Sequence, residues 1–223
     1  MTLRIEPVAD VAVTPAVRGF LHRPIAVPRA SLVLTHGAGS NCEAPLLIAL
    51  AEAFADRCIA TLRCDLPYRQ RRRYGPPRGT TTEDQAGLRR AVEFMRRLIS
   101  GPAFLGGQSY GGRQATMLAA SQSNLADGLL ILSYPLHPPG KPTQLRISHL
   151  SQIQTPSLFV SGTQDPFGSP EEISAAIARI PARVSFISIE SVGHDLGFGR
   201  GSRRREDLLE LIVHAFEELF APE

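Results

Sequence analysis

Along the chain, short blocks of consecutive apolar residues alternate with longer stretches whose apolar positions recur at helical spacing. The blocks are Ser31–Thr35, Ile59–Arg63, Ala103–Gly107, Gly128–Ser133, Ser157–Ser161 and Val184–Ile189, and each reads as a strand. Val17–Leu21 alternates weakly and reads as an early antiparallel strand. Between the blocks, Pro45–Phe54 carries Leu46, Leu47, Leu50 and Phe54 on one helical face, and Thr82–Ile99 carries Ala86, Leu88, Val92, Met95 and Leu98. Thr80–Thr82 offer a cap to that second helix, with Glu83 and Asp84 in its first turn. Tyr110–Ala120, Pro170–Ile180 and Arg205–Phe220 complete the helices, Pro170 and Glu171 marking a start. Such alternation predicts an α/β architecture, a mostly parallel sheet covered by helices on both faces. Pro67–Gly79 and Pro135–Pro142 read as loops within one domain spanning residues 1–223.

Composition narrows the function classes. Hydrophobic residues make up 43% and charged residues 20% of 223 residues, a globular balance. The net charge of +3 is too mild for a nucleic-acid binder, and its clusters, Arg69–Arg73 and Arg203–Arg205, read as solvated surface. Cys42, Cys58 and Cys64 fit neither a disulfide scaffold nor a zinc site and predict reduced thiols. No apolar run approaches the roughly 20 residues of a membrane span, and the N-terminus lacks a signal-peptide pattern. The expectation is a cytoplasmic protein with no nucleic-acid or membrane partner; the sequence leaves its oligomeric state open.

Gly107-Gln108-Ser109-Tyr110-Gly111 matches G-x-S-x-G between a predicted strand and a predicted helix. A serine on so sharp a turn exposes its hydroxyl, and small neighbours let the chain fold back. Gly106 and Gly112 extend the small-residue run, and the helix N-terminus behind Ser109 favours a developing oxyanion. A serine nucleophile needs a base, and the base needs an orienting carboxylate. Asp165 follows the strand ending at Ser161, and His194 follows the last strand, both where an open parallel sheet builds its site. The order serine, acid, histidine is that of α/β-hydrolases. Asp165 ahead of Pro166 also suits a plain turn cap, and Asp195 and Glu190 are rival acids. For the oxyanion hole, Tyr110 offers one backbone amide, and the loop His36-Gly37-Ala38-Gly39-Ser40 offers another, from Ala38 first and Gly39 next.

The combination of HGAG after the first core strand, GGQSYGG at the turn, YPLHPPGKP, SGTQDPFG and VGHD resembles the small dienelactone-hydrolase-like α/β-hydrolases. More narrowly, it is similar to the subgroup that includes the hydrolase-like domain of a chromatin acetyltransferase-complex subunit. The resemblance spans roughly residues 30–220. It implies an α/β-hydrolase fold, a triad of Ser109, Asp165 and His194, and no cofactor or metal. Dienelactone hydrolases use a cysteine nucleophile, whereas this chain carries Ser109, a departure that counts against dienelactones as substrates.

Substrate clues are few. The segment Pro135–Leu150 is too short for a large lid, and Tyr134, Leu136 and His137 are candidates to line a shallow cleft. Arg69, followed by Arg71, Arg72, Arg73 and Arg78, is a candidate to bind a substrate carboxylate or phosphate. The leading expectation is a serine hydrolase acting on a small ester or thioester, and peptidase or acyltransferase chemistry would use the same residues. The alternative is a non-catalytic interaction module that keeps the fold.

Overall fold

The computed structural model describes residues 3–199 and 205–221. Eight strands form one sheet in the order β1-β2-β4-β3-β5-β6-β7-β8. These are β1 (Leu3–Asp10), β2 (Val17–Pro24), β3 (Ala30–Thr35), β4 (Ile59–Cys64), β5 (Ala103–Gln108), β6 (Gly128–Leu132), β7 (Ser157–Gly162) and β8 (Val184–Ile189). Strand β2 pairs antiparallel with both of its neighbours, and every other pairing is parallel.

The apolar blocks work because both faces of the sheet are covered, so neither parity of side chain meets water. In β6, Leu129 and Ile131 join one core cluster, while Leu130 and Leu132 join the other. Helices α3 (Thr81–Leu98), α4 (Tyr110–Ser121) and α5 (Pro170–Ile177) close the first face through Leu88, Val92, Ala115 and Ile173. Helices α1 (Pro45–Asp56) and α6 (Glu206–Phe220) close the second, where Phe54 and Phe104 meet Phe216 edge-on. Thr80 caps α3 by accepting from the Glu83 amide. The connection from β6 to β7 contains a 3-10 turn, Leu150–Gln152, and no helical insert that would act as a lid. No helix among the described residues is long and apolar enough to cross a membrane.

Three expectations are corrected. Strand β1 lies in a segment the apolar pattern leaves unassigned; it is an edge strand, largely exposed, defined by its pairing with β2. Pro67–Gly79 is not all loop, because Pro67–Arg71 forms a short helix, α2, with proline at its first turn. Helix α5 ends at Ile177, three residues before the predicted Ile180. Of the second arginine cluster, Arg203 and Arg204 lie outside the described residues, and Arg205 pairs with Asp207 at the start of α6.

Candidate active site

The site stands at the carboxyl ends of β3, β5, β7 and β8. Ser109 occupies the turn from β5 into α4 with φ of 53° and ψ of −117°, a left-handed conformation rare for a residue with a side chain. Glycines make that turn possible. A Cβ on Gly107 would sit 2.8 Å from the Gly111 carbonyl carbon, and one on Gly112 would sit 2.6 Å from the Gly107 oxygen. One on Gly111 would meet the His36 oxygen at 2.6 Å, so the start of α4 presses directly on the loop after β3.

A second close crossing brings the acid to the histidine. A Cβ on Gly162 would lie 2.1 Å from the Val192 oxygen, because the loops after β7 and β8 touch there. The Gln164 amide donates to Val192 across the crossing, and the Ser191 amide donates to the Thr163 hydroxyl. His194 Nδ1 then lies 2.8 Å from Asp165 Oδ2 and 3.0 Å from Oδ1, and His194 Nε2 lies 2.7 Å from Ser109 Oγ. The Asp165 side chain is almost fully buried, and its Oδ1 also accepts the Phe167 amide at 2.9 Å. The Phe167 ring lies over the imidazole at 4.2 Å between centroids, and the Gln108 amide group holds the His194 carbonyl. With Nδ1–H donating to the carboxylate, Nε2 is left to accept the serine proton, the arrangement that makes a hydroxyl nucleophilic.

The structure thus brings Ser109, Asp165 and His194 together. It sets Asp195 aside, whose carboxylate accepts the Gly197 amide in an exposed turn, and Glu190 is exposed. The loop bearing Ala38 and Gly39 passes beside the serine, where a Cβ on Gly37 would lie 3.9 Å from Ser109 Oγ. Neither the Ala38 nor the Gly39 amide donates to another described protein group, and the Tyr110 amide stands at the free start of α4.

The substrate-lining residues fall out differently. Tyr134 is buried, its hydroxyl donating to the Arg146 carbonyl and its ring packed on Phe159. Leu136 is buried, and His137 is buried with its ring nitrogens facing the Pro138 oxygen and Glu172. These side chains are committed to packing rather than to the cleft beside Ser109. Arg69 is 5% exposed, and its guanidinium donates to the carbonyls of Ala38, Gly75 and Arg72. It is neither solvated nor free to hold an anion. Arg71 pairs with Glu83 at the surface, while Arg72, Arg73 and Arg78 are exposed. Cys42, Cys58 and Cys64 are unbridged, and no group of three or more metal-ligating side chains occurs among the described residues.

Two residues close to the site escaped the sequence reading. Asp84 looks like an ordinary first-turn carboxylate, yet it is buried and accepts from the Tyr110 hydroxyl at 2.8 Å and the Tyr68 amide at 3.3 Å. Tyr68 is buried on α2 with its hydroxyl on the loop after β3. Tyr68 adjoins the candidate Arg69 in the sequence, whereas nothing in the chain sets Asp84 apart from a helix-start carboxylate.

The fold is similar to that of a dienelactone hydrolase from Anabaena variabilis, with a TM-score of 0.73 and 18% identity, over 99% of this chain and 98% of that one. It is also similar to Est1E from Butyrivibrio proteoclasticus, with a TM-score of 0.77 and 16% identity over 97% and 99% of the two chains. XC6422 from Xanthomonas campestris, described as an a/b serine hydrolase without a lid, matches with a TM-score of 0.74 and 16% identity over 100% and 97%. Residues 28–220 match the family described as the alpha/beta hydrolase domain, and with the strand order and the strained turn at Ser109 this match makes the chain a member of the alpha/beta hydrolase family.

Proposed function

We propose that this protein is a serine hydrolase that cleaves small carboxylic esters or thioesters through an acyl-enzyme on Ser109. The observation that carries the reading is the continuous relay from Asp165 through His194 to Ser109, at 2.8 and 2.7 Å. Ser109 Oγ attacks the acyl carbon as His194 Nε2 takes its proton, and Asp165 stabilises the imidazolium. The Tyr110 amide and an amide of the Ala38–Gly39 segment receive the charge that develops on the acyl oxygen. Collapse of the tetrahedral intermediate expels the alcohol or thiol, which takes the proton from His194. Water, deprotonated by the same imidazole, then releases the acid and restores the hydroxyl. The lidless β6–β7 connection favours a short acyl group over a long lipid chain.

Labelling with a fluorophosphonate probe tests this reading, alongside hydrolysis of matched short esters, thioesters and amides. Wild-type protein takes the label and Ser109→Ala does not, and that variant loses about 10⁶-fold in kcat. A folded wild-type protein that neither reacts with the probe nor turns over any of these acyl compounds overturns the reading and leaves an interaction module that retains the fold.

A further inference from the structure

The loop after β3 lies between two neighbours, because β3 sits between β4 and β5 in the sheet. Ser109 follows β5 on one side, and α2 follows β4 on the other. The donors to the Gly37 and Ala38 carbonyls come from the loop itself and from α2. The Ala38 oxygen accepts the Tyr68 hydroxyl at 3.0 Å and the Arg69 guanidinium at 2.9 Å. The Gly37 oxygen accepts the same hydroxyl at 3.3 Å, the Ser40 amide at 3.0 Å and His36 Nδ1–H at 2.8 Å. His36 is fixed in that tautomer because its Nε2 accepts the Leu66 amide.

A trans peptide points its N–H opposite its carbonyl, and the one cis bond among the described residues is Thr14–Pro15. Drawing the Gly37 and Ala38 carbonyls toward α2 therefore turns the Ala38 and Gly39 amides away from it, to the side where Ser109 stands. The other donor, at Tyr110, is tied to the same group. The Tyr110 hydroxyl donates to Asp84 Oδ2, and Asp84 Oδ1 accepts the amide of Tyr68. Tyr68 packs edge-on against both His36 and Tyr110, at 5.7 and 5.8 Å between centroids.

We propose that Tyr68, Arg69 and Asp84 are positioning residues that clamp both backbone arms of the oxyanion hole in register, an inference that rests on the serine-hydrolase reading above. None of the three is placed to touch the reacting atoms; they act through Ala38, Gly39 and Tyr110. The chemistry of the clamp suits the task. Burial pushes the Tyr68 phenol up to about 12 and the Tyr110 phenol higher still, so both remain protonated donors at any working pH. The planar guanidinium of Arg69 reaches three carbonyls at once, which a single ammonium does less well.

Kinetics on a short ester, together with the inhibition constant of a trifluoromethyl ketone that forms a tetrahedral adduct, test the clamp. Tyr68→Phe keeps the ring and removes the hydroxyl, so its melting temperature stays near wild type. Its kcat falls about 10- to 100-fold with KM changed less than about threefold, the range expected when a catalytic group is misplaced without being lost. The ketone weakens by the same factor as kcat/KM, since both report stabilisation of the tetrahedral oxyanion. Arg69→Lys recovers part of what Arg69→Met loses, and Asp84→Asn, which can still accept from Tyr110, is milder than Asp84→Ala. Wild-type kcat and ketone affinity in folded Tyr68→Phe and Arg69→Met overturn the clamp while leaving the hydrolase intact. So does a loss that falls wholly on KM. A wild-type protein inert toward both fluorophosphonate and ester removes the hydrolase reading and the clamp together, so the two failures are told apart by wild type alone.

Discussion

Two histidines beside opposite edges of the sheet show how surroundings divide one side chain between chemistry and structure. His194 stands at the carboxyl end of β8 with a quarter of its side chain exposed, a carboxylate on one nitrogen and a hydroxyl on the other. His22 lies wholly buried in β2, and its Nε2 accepts from Arg63 Nε at 2.8 Å. Burial, reinforced by the Arg63 charge and only partly opposed by Glu52, pulls the His22 pKa down to about 4. His36, buried after β3, is likewise held below its ordinary value by burial; its Nδ1 faces the Gly37 oxygen, and its Nε2 faces the Leu66 amide with Asp65 Oδ1 3.5 Å away. A histidine becomes a candidate base where one nitrogen is oriented by an acid and the other faces a group with a proton to give. Without both, the same ring only holds neighbouring groups of the core by hydrogen bonds.

The sharpest way to break this comparison is to remove the orienting acid. Asp165→Asn keeps the shape, but its amide can donate to Nδ1, which favours the tautomer with a proton on Nε2, where the serine proton must go. The expected loss in kcat on a short ester is about 10⁴-fold. Asp195→Asn serves as the control and stays within about threefold of wild type, since its side chain serves only a surface turn. Comparable losses in both variants would mean that the geometry around His194 does not single out its acid.

What could be read from the sequence follows from the same contrast. Ser109, Asp165 and His194 were legible because each follows an apolar block directly, and the carboxyl ends of parallel strands share one edge. The parallel core was legible because burial on both faces leaves an unbroken apolar run. Strand β1 was not, since its largely exposed edge carries no such run and depends on pairing with β2. Arg69 was misread because the acceptors that bury it, Ala38 and Gly75, are loop carbonyls, and a carbonyl leaves no mark on the sequence. Tyr134 and His137 were misread for a related reason: a proline-rich segment at the site edge looks open, yet here it folds down, with Leu136 buried and the His137 amide donating to Phe167. Five residues are too few to show helical periodicity, so α2, which carries the Tyr68 and Arg69 contacts, escaped as well.

A smaller perturbation asks whether the relay depends on backbone contact between two loops. In Gly162→Ala the added methyl would meet the Val192 oxygen at 2.1 Å and the Gly193 oxygen at 2.8 Å, so the loops after β7 and β8 must part. Overpacking of this kind costs about 1–3 kcal/mol, read as a lowered denaturant midpoint. The kcat of the folded fraction should fall by at least tenfold, because the movement separates Asp165 from His194. Full activity with lowered stability would show that the acid and the base keep their geometry without the crossing.

The smallest expected effect lies on the structural side. His22 is neutral in the fold, with its pKa at about 4 against an ordinary 6.5. Between those values the unfolded chain binds a proton that the folded chain refuses, so stability is greatest above 6.5 and declines as the pH falls toward 4. Folded protein that does take up the proton loses the acceptor for Arg63 Nε and sets two cations side by side, while the Cys42 carbonyl still accepts from the guanidinium. Between pH 7 and pH 5 the contribution is about 1–2 kcal/mol. His22→Gln retains an acceptor for Arg63 but does not titrate. Its denaturant midpoint should therefore fall less steeply than that of wild type over this interval, while its ester kcat profile against pH, which reports the His194 end of the sheet, stays superimposable on wild type. Parallel stability curves for the two proteins would show that the Arg63 cluster accepts the proton without cost. A shifted kcat profile would show that the two histidines are not the independent regions their surroundings describe.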